Sequence, residues 1–141
     1  MHQIIFVAEP EQIDDLELDE NPADHYPVMS SQEFHRDARA QLYALVTGTF
    51  FDEASELEIL RRSLTDDGPY IYQLEASTQR SFSRLDEDTL GEFAERWAET
   101  EEIEMLDRDV NDLYDFLYQF AHLCHVATQG EDLGLFIYSD S

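Results

Sequence analysis

Apolar positions along this chain alternate between short continuous runs and long stripes of helical spacing. Residues 4–7 (Ile-Ile-Phe-Val) form a compact apolar run ended by Glu9-Pro10, the pattern of a buried strand with a turn behind it. Tyr70, Ile71, Tyr72 and Leu74 suit a pleated surface and predict a second strand over 70–74, directly after the turn signal Asp66-Asp67-Gly68-Pro69. A third apolar run covers 133–138, close to the end of the chain.

Between these runs the period is helical. Ser30 or Ser31 can cap a helix, Glu33 stands where a capping box places it, and Phe34, Ala38, Leu42 and Leu45 then recur up to Gly48. Leu57, Leu60 and Leu64 share one stripe and predict a second helix over about 53–64. Ser77 or Thr78 opens a short helix through Leu85, and Asp86 caps the next, with Leu90, Phe93, Ala94 and Trp97 facing inward. Residues 100–106 read as a connector with room for one helical turn. Asp107 or Asp109 opens the longest helix, about 109–128, whose stripe is Val110, Leu113, Tyr114, Leu117, Phe120, Ala121 and Cys124. Phe116 and Leu123 widen that stripe, so the helix is expected to be covered on more than one side.

This order predicts an α+β fold: a small three-stranded sheet packed against four to five helices, with the long helix near the C-terminus at its centre. No repeat or linker divides the chain, so residues 1–141 are expected to form one domain.

Charge changes the picture more than any motif. Thirty-three acids face eight bases, all of them Arg, for a formal net charge of −25. Phosphate backbones are contacted by Lys and Arg, so direct nucleic-acid binding is not expected. Anionic membranes are disfavoured on the same ground, and no apolar run approaches the roughly 18 residues of a membrane span. The start of the chain has no basic region of the kind that opens a secretory signal. The lone cysteine, Cys124, excludes an internal disulfide and fits the reducing cytoplasm.

Several short motifs together resemble an uncharacterised family of small bacterial cytosolic proteins of about this length. They are Ile5-Phe6-Val7, Leu45-Val46-Thr47-Gly48 followed by Phe51-Asp52, Gly68-Pro69, and above all Trp97-Ala98-Glu99-Thr100-Glu101-Glu102. The resemblance implies a cytosolic bacterial protein of α+β layout and brings no catalytic or binding residue with it. The present chain is more acidic than that family usually is.

No catalytic residue and no cofactor is expected. A glycine-rich phosphate loop, a GxSxG elbow and an HExxH helix are all absent from the sequence. His122 and His125 share a helix face, but Cys124 points into the apolar stripe, so no metal site is predicted. Asp86-Glu87-Asp88 and Asp107-Arg108-Asp109 are acids at helix starts, where the macrodipole favours them.

Two acid series ask for more. Glu92, Glu95, Glu99 and Glu102 fall at helical steps and make a carboxylate stripe if the helix continues past Thr100. Asp14, Asp15, Glu17, Asp19 and Glu20 lie in an acidic segment without glycine, which fails the pattern of a calcium-binding EF-hand loop. The expectation is a non-catalytic module that docks a basic protein through these acids, such as a nucleic-acid-binding protein or a toxin that it inhibits. The alternatives are an acidic surface adapted to high salt or solubility, and an enzyme without a recognisable motif.

Overall fold

The computed structural model describes residues 3–14, 28–30, 34, 36–63, 65–66, 68–130 and 132–139. Among these, an antiparallel five-stranded sheet carries the helices, so the fold is α+β but the sheet exceeds the three strands expected. The strands are β1 (Gln3–Ala8), β2 (Val28–Ser30), β3 (Glu58–Ser63), β4 (Tyr70–Leu74) and β5 (Gly134–Ser139), in the order β2-β1-β5-β4-β3. The helices are α1 (Pro10–Asp14), α2 (Arg36–Thr47), α3 (Phe51–Ala54), α4 (Ala76–Ser83), α5 (Glu87–Ala98), α6 (Glu101–Leu106) and α7 (Val110–Gln129).

The two continuous apolar runs nearest the chain ends become neighbouring inner strands. β1 pairs with β5 from Gln3↔Ser139 to Ala8↔Gly134. Ile5, Phe6, Val7, Leu135, Phe136 and Ile137 are all fully buried, because both faces of these strands are covered. Ile5, Val7, Leu135 and Ile137 join the large core beneath the helices; Phe6, Phe136 and Ile71 join a smaller cluster with Ile13 of α1.

The two unforeseen strands have different causes. Ser30, expected as a helix cap, pairs with Ile4 at the sheet edge while Met29 beside it is buried. Ser31 and Glu33 lie outside the described residues, and the helix begins at Arg36. The helix expected over 53–64 is a single turn, α3, followed by strand β3. Leucines at helical spacing also fit a short strand, and apolar period alone does not separate the two. The hairpin with β4 decides: Glu58 opposes Leu74 and Ser63 opposes Tyr70 across the turn. Gly68 adopts φ +97° there, a conformation that side chains resist. Leu60 is consequently 55% exposed and belongs to no buried stripe, and Leu64 lies outside the described residues.

The long helix α7 packs against α4, α5 and the sheet. Leu113, Leu117, Phe120 and Cys124 are fully buried as their spacing predicts. Val110 departs from that stripe: as the first helical residue it is 38% exposed, and Tyr114 is only half-buried. Rings tie the helices together, with centroids 4.7 Å apart for Phe34–Phe116, 5.0 Å for Phe34–Trp97 and 4.8 Å for Phe82–Phe120. Trp97 Nε1 donates to Ala38 O at 2.9 Å, which fixes the end of α5 against α2.

One charged cluster lies inside. Arg39, 2% exposed, donates through Nε to Glu58 Oε2 at 2.7 Å and through Nη2 to Glu58 Oε1 at 2.9 Å. Its Nη1 donates to Gln3 Oε1 at 2.6 Å and to Phe34 O at 2.7 Å. Tyr43 Oη donates to Glu58 Oε2 at 2.5 Å. Burial opposes the charge on Arg39, but the Glu58 carboxylate outweighs it and raises the guanidinium pKa. The same burial, reinforced by Glu58, pushes the Tyr43 phenol far up. The cluster binds α2, β1 and β3 to one another, and the Arg that anchors it is one of only eight bases.

Candidate docking face

Helix α5 is set by its ends and its inner face. Asp86 accepts from Thr89 N at 2.8 Å as the N-cap, and that bond lowers the Asp86 pKa. Leu90, Ala94 and Trp97 are buried, with Phe93 half-buried beside them. This places Glu92, Glu95 and Glu99 on the exposed side. The one base of α5, Arg96, lies with its guanidinium carbon 5.6 Å from the Phe93 ring centroid.

The four-glutamate stripe does not run unbroken. α5 stops at Ala98 with Glu99 as its C-cap, and Thr100 turns to extended backbone (φ −75°, ψ 151°) as the N-cap of α6. Thr100 Oγ1 donates to Trp97 O at 2.7 Å, closing the α5 end. Glu102 therefore sits on a different helix, half-buried, with its Oε2 buried and without a hydrogen-bond partner among the described residues.

Of the other predicted acids, Asp14 ends α1 and pairs with Arg61 of β3, its Oδ2 3.0 Å from Nη2. Asp15, Glu17, Asp19 and Glu20 lie outside the described residues. Asp14 and Arg61 share a groove of about 510 Å³ with Ile59, Leu60 and Gln73 at the β3 edge. Arg61 also donates to Gln73 Oε1 at 2.9 Å, and Glu75 accepts from Ser77 N and Thr78 N at 2.9 Å, so all three charges among the described lining residues of that groove are engaged.

Glu92 and Glu95 open instead onto a groove between α5 and α7 of about 380 Å³. Glu87 and Asp88 stand along it, and Val110, Asn111 and Tyr114 form the α7 wall. Its described lining residues include four carboxylates and no base. Gly91 leaves the α5 wall low, since a Cβ there would meet nothing within 4 Å. The Tyr114 pKa is raised, first by partial desolvation and then by Glu87, Tyr118, Asp115 and Asp88, so these acids act on one phenol.

The sequence assigned Glu87 and Asp88 to the helix dipole and Tyr114 to the core, and so missed their juxtaposition. The available signal was Val110, Tyr114 and Tyr118 at steps of four, which slants off the buried stripe. His122 and His125 are exposed on α7 while Cys124 is buried, its thiol pKa pushed well up by burial. Among the described residues, no three His, Cys, Asp or Glu side chains gather as metal ligands. No described helix is long and apolar enough to cross a membrane.

Compared with family models, curated proteins and solved structures, the chain shows no significant match.

Proposed function

We propose that this chain is a non-catalytic, cytoplasmic protein-binding module that docks a basic partner on the acidic face of α5. The observation that carries this is the α5–α7 groove, where Glu87, Asp88, Glu92 and Glu95 converge with no base among the described lining residues. Like charges so placed repel one another, and a cationic partner relieves that repulsion. Glu99, exposed at the end of α5, extends the same face. Complementary potentials of this kind speed encounter and select partners more than they add affinity.

The test is binding of a labelled arginine-rich peptide followed by fluorescence anisotropy between about 0.02 and 0.5 M NaCl, a span from weak to strong screening. The triple variant Asp88→Asn, Glu92→Gln, Glu95→Gln should bind more weakly and with a shallower salt dependence. A control triple, Asp52→Asn, Glu101→Gln, Glu104→Gln, removes the same charge from exposed sites elsewhere. Equal weakening in both triples would reduce the effect to net charge and end the assignment to this groove.

A further inference from the structure

The acids of the α5–α7 groove adjoin an aromatic stripe. On α7, Tyr114 and Tyr118 stack at 6.4 Å between centroids with 29° between planes. Tyr118 is 51% exposed and Val110, one turn before Tyr114, is 38% exposed. Steps of four along a helix keep these side chains on one slanting line, about 12 Å from Val110 to Tyr118 at 1.5 Å per residue. Glu87, Asp88, Glu92 and Glu95 flank the Val110–Tyr114 half of that line.

We infer that Val110, Tyr114 and Tyr118 are the apolar seat for an arginine-bearing amphipathic helix of the partner, laid along the α5–α7 groove. The inference rests on the docking function proposed above and names the partner's form. A seat about two helical turns long between two helices matches a helix in a groove, read by anchors at steps of three and four. Carboxylates beside the stripe require cations flanking the partner's apolar positions. Arginine fits better than lysine, because a guanidinium lies flat on a tyrosine ring while its N–H groups reach a carboxylate. A second copy of this chain is a poor occupant, since each copy carries 33 acids against eight bases and no Lys or Arg lies on α7.

The experiment uses three labelled peptides on the full chain: an amphipathic Leu/Arg helix, the same peptide with Lys for Arg, and a scrambled Leu/Arg peptide that cannot form an apolar face. The wild type should bind the amphipathic Arg peptide tightest. Tyr118→Ala, on the exposed side, should weaken that peptide about tenfold in both low and high salt, as expected for loss of apolar burial against the peptide's leucine face, which salt screens far less than it screens charge pairing. It should leave the scrambled peptide unchanged. Tyr118→Phe keeps the ring and its stacking on Tyr114 and should retain most of the binding, which guards against a folding artefact at this position.

If the carboxylate triple weakens binding and Tyr118→Ala does not, the docking function stands and the α7 seat is refuted. Equal wild-type affinity for the amphipathic and scrambled peptides refutes the seat as well. If the wild type binds no basic peptide at low salt, the docking function fails and the seat with it. Sedimentation showing that the wild type dimerises in high salt and Tyr118→Ala does not would overturn the partner assignment in favour of a second copy.

Discussion

Replacing Arg39 by Met tests whether the buried cluster holds helix to sheet. The substitution keeps an unbranched side chain but deletes two hydrogen bonds to Glu58, one to Gln3 and one to Phe34 O. Among the described residues, the Glu58 carboxylate, 2% exposed, then retains only the Tyr43 hydroxyl at 2.5 Å. Breaking a buried ion pair from one side costs about 3–5 kcal/mol, mostly because the abandoned charge has lost its water without compensation. Domains of this size are stable by about 5–15 kcal/mol in all, so the variant should lose a large fraction of its stability. Urea unfolding followed by Trp97 fluorescence and far-UV circular dichroism measures the loss as a lower midpoint. Trp97 is the only tryptophan and is fully buried, so its emission reports the core directly. The double variant Arg39→Met, Glu58→Leu removes the abandoned charge and should be less destabilised than Arg39→Met alone. It should not reach the wild type, because the buried Tyr43 hydroxyl loses its Glu58 acceptor, at about 1–3 kcal/mol for an unsatisfied polar group. A single-variant loss well below about 3 kcal/mol, the lower bound for broken buried pairs, would refute the argument. So would a double variant as unstable as the sum of its singles.

Three further outcomes are expected. Leu117→Ala should cost about 2–5 kcal/mol by the same urea assay, since Leu117 is fully buried at the centre of α7; a loss below that range would mean that the core collapses around the gap. Glu75 caps α4: burial opposes its ionisation, but hydrogen bonds from Ser77 and Thr78 outweigh this and lower its pKa to about 2, so Glu75→Ala should cost about 1 kcal/mol near neutral pH. A depressed carboxyl pKa stabilises the fold above the unfolded value of 4.5, and that gain disappears as pH falls towards about 2, so the gap between wild type and Glu75→Ala should close across that window; a gap independent of pH would exclude the ionised cap. Raising NaCl from about 0.02 to 0.5 M should raise the melting temperature by screening carboxylate repulsion, and an unchanged melting point would show those charges already balanced.

The sequence by itself determined most elements whose pattern was local and repeated, the leucine stripe at 57, 60 and 64 being the exception. The runs at 4–7, 70–74 and 133–138 are β1, β4 and β5, and Asp86 and Asp109 do cap α5 and α7. The inward stripe Leu113, Leu117, Phe120 and Cys124 follows from helical period alone, because one side of a helix repeats in space as it does in sequence. Charge composition fixes a formal net charge of −25, the ground on which a basic partner is proposed.

Tertiary structure decided what depends on residues far apart in the chain. β2 is only three residues long and carries no period of its own; it is a strand because β1 offers it an edge. β3 shares its leucine spacing with a helix and becomes a strand because β4 lies across the turn. Arg39 and Glu58, nineteen residues apart, look like surface charges until folding removes both from water and makes each the other's partner. The proposed docking face divides in the same way. Glu92, Glu95 and Glu99 share one exposed face because a single helix carries them, whereas the break at Thr100 removes Glu102. Tyr114 joins Glu87 and Asp88 only because α7 packs against α5, and a groove between two helices belongs to neither helix's sequence.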